Sequence, residues 1–470
     1  MHHNHGAHRP GALVAAVLAV VALAACGTTV SRDEIERAAG LGAVAGSTRG
    51  AAAATATGEP GPASNTDLTA AATGPAGATA AASGGAGGTA AATAGAVAAG
   101  GSGPAGSQAA NLSPIKLGHI GTYSGLLGAI FAGGQEMVQV WANWVNTHGG
   151  LNGHPVQVVM ADDGGDPSRN LALTRDMVEN QGVIAFVGNI VPLSLTGSKS
   201  YLEQKKIPLI GGDLTDVAWY QSPMIFPQGA LIDGSLRGAA AQAAQIGNHN
   251  VALLYCGEAS ACFEARDIFQ KGAVAAGGGN LVYTAQVSLA QPDFTSECIQ
   301  LKTHHVDAVV ATVDGNSLSR LARACAQQQV PVRFVSFALA LVSSLASDPN
   351  LDGLVGTTGL FPWMLTDGPA ASYGQAIATY APGLETSGTT AAVWGSGSLV
   401  QAASRKLPTG AVTANDLLEG LYALNGDTLG GLTPPLTFRR GQPPAEYSCY
   451  YTIALSGGAF STPSGLKAIC

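Results

Sequence analysis

Residues Val183–Thr215, VIAFVGNIVPLSLTGSKSYLEQKKIPLIGGDLT, constrain the fold more than any other stretch of the chain. Val183–Val187 is a short apolar run closed by Gly188, the pattern of a strand buried on both faces of a parallel sheet. Pro192 suits the first turn of a helix, where a missing N–H costs nothing, and Leu195, Tyr201 and Leu202 supply its apolar face. Ile207–Ile210 is the next strand, closed by Gly211 and Gly212. Two neighbouring parallel strands place their following loops at one carboxyl edge, where open α/β sheets bind ligands. The first loop feeds a helix whose free N–H groups, around Leu193 and Ser194, favour an acceptor or an anion. The second carries Asp213 and Thr215.

The same rhythm extends in both directions. Ile115–Ile120 and Val156–Ala161 read as strands, separated by a helix with Met137, Val138, Trp141, Trp144 and Val145 on one face; the tryptophans are core residues. Asp166-Pro167 fits a helix N-cap and first position better than Asp162, Asp163 and Asp166 fit a Ca²⁺ loop. After Gly229 come strands at Val251–Tyr255, Leu281–Val287, Asp307–Val313 and Arg333–Phe337. Helices near Phe263–Ala276, Phe294–His304 and Ser317–Gln328 separate them. This alternation predicts an α/β fold of parallel sheets covered by helices, and Ser113–Cys470 is long enough for two such bodies.

The amino-terminal part reads differently. The apolar run Ala12–Ala25 has the length of a signal-peptide core and is too short to span a bilayer. It ends in Leu23-Ala24-Ala25-Cys26-Gly27, which resembles the lipobox of bacterial lipoproteins, and so predicts removal of residues 1–25 and lipidation of Cys26. That places the protein on the extracytoplasmic face of the cell membrane. His2, His3, His5 and His8 leave with the leader. Residues 26–112 are mostly Ala, Gly, Thr, Ser and Pro, which cannot bury enough apolar area to offset chain entropy. They are expected to form a disordered tether, whose Leu41–Ala110 part spans on the order of 45 Å by flexible-chain scaling.

The net charge of −8, with only 11% charged residues, excludes a nucleic-acid-binding role. Of seven cysteines, six remain after lipidation, and in an exported chain they are expected to form disulfides. Proximity favours Cys256–Cys262, Cys298–Cys325 and Cys449–Cys470 among fifteen possible pairings. There is no nucleophile elbow, Walker loop, G-x-G-x-x-G fingerprint or H-E-x-x-H helix. The scattered His119, His148, His154, His249, His304 and His305 read as surface or capping residues. No enzyme, metal or cofactor is expected.

Five stretches in order, IKLGHIGTYSG (Ile115–Gly125), NTHGGLNGHPVQVVMADDGGDP (Asn146–Pro167), VIAFVGN, IPLIGGD and PLTFRRGQPPAEYSCYYTI (Pro435–Ile453), resemble the Leu/Ile/Val-binding family of ABC-importer receptors. The resemblance covers Ser113–Cys470 and implies the type I periplasmic-binding-protein fold, two Rossmann-like lobes joined by a three-strand hinge. Lobe 1 would hold 113–228 and 360–431, and lobe 2 would hold 229–359 and 432–470. It further implies a monomeric receptor that closes on a small-molecule ligand and presents it to an ABC permease. A sensor of the same fold without a transport role is the alternative.

Carried over by position, ligand contacts would come from Tyr123, Ser124, Asn189, Pro192, Ser194, Asp213 and Thr215 in lobe 1. Lobe 2 would add Ser260, Asp314 and Phe337. Thr215 matches a ligand-contacting Thr of the amino-acid binders, whereas Pro192 stands where they have Ser. The carboxylate that holds an α-ammonium in those proteins is replaced by Phe337-Ala338. Asp213 would hold a cationic group from the opposite side. The implied ligand is an amino acid or a related small polar solute, other than leucine, isoleucine or valine.

Overall fold

The computed structural model of the chain describes residues 112–125, 127–246, 249–337, 340–365 and 367–470. The leader, Cys26, the tether through residue 111, and Ala338 lie outside the described residues.

Strands β1 (Ile115–Gly121), β2 (Val156–Asp162), β3 (Ala185–Asn189), β4 (Leu209–Gly212) and β5 (Ile225–Phe226) form a parallel sheet in the order β2-β1-β3-β4-β5. Helices α1 (Gly128–Thr147), α2 (Pro167–Glu179) and α3 (Leu195–Lys205) link its first four strands. A second sheet follows, with β6 (Asn250–Cys256), β7 (Asn280–Val287), β8 (Ala308–Thr312), β9 (Arg333–Phe337) and β10 (Val355–Thr358) all parallel. Its helices are α4 (Ile232–Gln245), α5 (Ser260–Gln270), α6 (Ala273–Ala276), α7 (Thr295–Thr303) and α8 (Gly315–Gln327).

The chain then returns to the first sheet as α9 (Ala371–Tyr380), α10 (Gly388–Ala403) and α11 (Ala414–Tyr422). A two-stranded ribbon, β11 (Asn425–Asp427) with β12 (Leu436–Thr437), precedes β13 (Tyr451–Ser456) and β14 (Ala459–Ser461), which extend the second sheet antiparallel beside β10. The chain therefore passes between the two lobes three times, as the fold class expected. Among the described residues no helix is long and apolar enough to cross a membrane.

Helix α10 shows why small residues matter in lobe 1. It lies against α1, β3 and β4, and its glycines let it come close. A Cβ on Gly397 would lie 2.2 Å from Trp141 Nε1, while Gln401 one turn on accepts that N–H at 3.3 Å. Trp141 is fully buried, as its place in the helix stripe predicted.

Three elements differ from expectation. Strands β3 and β4 each begin two residues late, because Val183 N bonds Met177 O and Ile207 N bonds Leu202 O to close the preceding helices. Gly188 and Gly211 then lie inside the strands at φ +64° and +66°, where α10 presses on the backbone, instead of ending them. The helix expected over Phe263–Ala276 breaks at Gly272, whose φ of +98° starts a separate turn.

Disulfides join Cys256–Cys262, Cys298–Cys325 and Cys449–Cys470. The second ties α7 to α8 across 27 residues; a loop of that length is worth roughly 3 to 4 kcal/mol on the chain-entropy model. The third fixes the carboxyl-terminal tail beside β13.

Candidate ligand-binding cleft

Three aspartates organise the lobe 1 loops. Asp163, fully buried beyond β2, accepts four hydrogen bonds: from Thr122 Oγ1 (2.9 Å), Gly165 N (2.8 Å), Asn170 Nδ2 (2.9 Å) and Ser194 Oγ (2.5 Å). Gly197 lets α3 lie close to the start of α2, since a Cβ there would meet Pro167 O at 2.0 Å. Asp162 accepts from Tyr123 N and Gly164 N, both at 2.9 Å. Burial raises its pKa, but bonds from Ser124, Tyr123 and Gly164 together outweigh this and hold it below the usual carboxylate range. Asp166 caps α2 through Arg169 N at 2.9 Å, with Pro167 as the first helical residue. No group of three or more metal-ligating side chains occurs among the described residues.

Asp213 does the same between β3 and β4. Its Oδ2 accepts from Val191 N at 2.6 Å, and its Oδ1 accepts from Thr215 N at 2.9 Å and from the Thr215 hydroxyl. Burial pushes its pKa up, and these three donors pull against that. The carboxylate is turned into its own loops and not toward a cation. The helix expected from Pro192 is also displaced: 192–194 form a turn, Ser194 N bonds Val191 O, and α3 starts at Leu195.

His119 is fully buried on β1, contrary to its reading as a surface residue; His154 is buried too, between Ser113 O (2.8 Å) and Pro408 O (2.7 Å). His119 Nδ1 donates to Val187 O at 2.9 Å, which leaves Nε2 to accept from the Tyr123 hydroxyl. Burial lowers its pKa to about 4, with the Val187 bond opposing. Between pH 6.5 and about 4 the unfolded chain therefore takes up a proton that the folded one refuses. The His119 contribution is complete above pH 6.5 and lost as pH falls, by up to about 3 kcal/mol at pH 4. Denaturant titrations from pH 7 to 4 should show wild type losing that much more stability than His119→Gln; parallel curves would disprove it.

Between the lobes lies an apolar cavity. From lobe 1 it is lined by Leu127, Ile130 and Phe131 at the start of α1, with Pro192 and Thr215. From lobe 2 it is lined by Ile232 of α4, by Ala259 and Ala261 in the loop closed by Cys256–Cys262, and by Leu289, Val313, Phe337 and Ala340. Its polar groups are few and engaged. Thr215 donates to Asp213, Thr312 Oγ1 reaches Leu254 O at 3.5 Å, and Asp314 caps α8 by accepting from Asn316 N (2.9 Å) and Ser317 N (3.2 Å). Beside the cleft the lobes are tied directly: Ser343 N donates to Thr386 O at 2.9 Å and Gly388 N to Leu341 O at 3.3 Å.

Of the residues expected at the site, Pro192, Thr215, Asp314 and Phe337 line this cavity. Asp213 sits behind Thr215 in a smaller adjoining recess. Tyr123, Ser124, Asn189 and Ser194 support the lobe 1 edge: Asn189 Oδ1 accepts from Ile120 N at 3.1 Å, and Ser194 is wholly buried. Ser260 is exposed at the first turn of α5 and does not line the cavity, whereas its neighbours Ala259 and Ala261 do. The apolar lining at Ile130, Phe131 and Leu289 was not anticipated. Its one sequence signal is the apolar pair Ile130-Phe131 lying upstream of the Met137–Val145 stripe.

Two parallel-sheet lobes, three crossings and a cleft lined from both sides define a two-lobed solute-binding protein. The chain belongs to the periplasmic binding protein family, whose profile matches residues 114–458. Solved structures share the fold at low identity. An extracellular ligand-binding receptor from Verminephrobacter eiseniae is 15% identical, with a TM-score of 0.64 over 74% of this chain and 99% of that one. A fatty acid ABC transporter substrate-binding protein from Thermomonospora curvata is 19% identical, with a TM-score of 0.61 over 75% and 91%. A branched-chain amino acid transporter substrate binding protein from Streptococcus pneumoniae, in complex with isoleucine, is 16% identical, with a TM-score of 0.60 over 74% and 99%. No curated protein matches the chain in sequence.

Proposed function

We propose that this protein is the extracytoplasmic receptor of an ABC importer, a non-enzymatic monomer held to the membrane by lipid on Cys26. It captures a small organic solute with an apolar body between its lobes. The apolar lining of the cleft carries this reading. Closing over such a solute removes apolar surface of both partners from water, worth about 25 cal/mol per Å², and this favours the closed state over the open one. The expected amino-acid-like polar solute fits less well, because Phe337 stands where a carboxylate would hold an ammonium, and Asp213 is engaged elsewhere. The fatty-acid and isoleucine proteins of the same fold likewise take ligands with apolar bodies.

A thermal-shift screen of small organic solutes tests the ligand class. Ligands at about 100 times Kd stabilise the folded state by about 2.7 kcal/mol, and the effective ones should be apolar-bodied. Stabilisation by strongly polar solutes alone would overturn this reading. A Cys26→Ser chain should move from the membrane to the soluble fraction, and unchanged fractionation would remove the anchor.

A further inference from the structure

A cleft at the carboxyl edge of a parallel sheet ordinarily offers N–H and O–H donors to an acceptor on its ligand. In lobe 1 of this protein several of those donors already end on its own carboxylates. The N–H of Val191 and both the N–H and O–H of Thr215 go to Asp213. The Ser194 hydroxyl goes to Asp163, and Tyr123 N goes to Asp162. Pro192, which faces the cavity between these groups, has no N–H to give. No Lys, Arg or His stands among the described lining residues, and the one ionisable group there, Asp314, is an acid occupied as a helix cap.

We propose that Asp213 fills from within the place that an anionic ligand head would occupy, so that the cleft selects uncharged apolar solutes and excludes carboxylates. The inference rests on the cleft being the ligand site, and it narrows the ligand class. A carboxylate entering the cleft from the lobe 1 side would find the Val191, Thr215 and Ser194 donors already committed, two acidic side chains nearby and an apolar wall. Each of these disfavours a desolvated anion. An alcohol, amide or ketone leaves no charge stranded and gives up far less hydration on entry. An amine has only Asp314 to meet, and that group already accepts several bonds.

The test is calorimetric titration of the full-length protein with four matched eight-carbon probes: octanol, octanamide, octanoate and octylamine. Wild type should bind the two neutral probes at least tenfold more tightly than octanoate or octylamine. Asp213→Ala frees the Val191 and Thr215 donors and should tighten octanoate by about tenfold or more, the value of one charge-assisted hydrogen bond, with little change for octanol. Octanoate or octylamine binding wild type as tightly as octanol would overturn the inference while leaving the cleft as the site. Binding of no probe, or octanol binding unaffected by Ile130→Asp, would overturn the cleft reading and this inference with it. The ranking in wild-type protein decides the question even if Asp213→Ala does not fold.

Discussion

Replacing Ile130 by aspartate should abolish solute binding, weakening it by more than about 100-fold, while leaving the melting temperature within a few degrees of wild type. Ile130 is on the first turn of α1, only partly buried, and faces the cavity from lobe 1. In the open protein the new carboxylate can stay hydrated at the cleft mouth, so folding costs little. With solute bound and the lobes closed it must be desolvated against the apolar side chains of Phe131, Val313 and Phe337. An unpaired buried charge costs several kcal/mol, and each 1.4 kcal/mol is a tenfold loss of affinity. Ile130→Val, which removes one methylene, should cost less than tenfold. Titration with the best solute from the thermal-shift screen, beside melting curves of the free proteins, checks both. Undiminished affinity in Ile130→Asp would mean that the solute sits elsewhere.

The elements of this fold were legible because they rest on local patterns. The Val183–Thr215 stretch shows strand, loop, helix and strand in order, and its boundaries shift by only two or three residues in the structure. Cysteine spacing was equally informative, since each pair is close in sequence or on successive helices. The direction of polar side chains was not legible. Ser194 and Asp213 read as groups offered to a ligand, yet Ser194 bonds a carboxylate 31 residues away and Asp213 clamps a backbone N–H 22 residues away. His119 looked incidental and proves to be a buried acceptor for Tyr123, held by Val187 O 68 residues on. In each case a contact between two loops decides where the side chain points, and no periodicity records it. The apolar cavity wall was hidden for the opposite reason: Ile130, Phe131 and Leu289 look like ordinary core residues, and only the gap between lobes distinguishes them.

Asp163→Ala should be the most destabilising single substitution in the lobe 1 loops. The carboxylate is fully buried and joins the loops after β1, β2 and β3 through four donors. Truncation leaves those donors facing an apolar void. Unsatisfied buried groups cost about 1–3 kcal/mol each, so leaving several neutral donors unpaired costs roughly 3–5 kcal/mol in all once the loops relax. At about 2–3 °C per kcal/mol for a body of this size, the melting temperature should fall by roughly 6–15 °C. Ser194→Ala removes one of the four bonds and should cost only about 1 kcal/mol. The double variant should lose little beyond Asp163→Ala alone, because the Ser194 hydroxyl has no other assigned acceptor; such non-additivity marks a shared network. Asn170 strengthens the expectation, since its Oδ1 is buried without a partner and its Nδ2 depends on Asp163. Denaturant melts of the three variants measure these terms. A loss in Asp163→Ala no larger than in Ser194→Ala, or strict additivity between them, would show that the three loops hold their positions without this carboxylate.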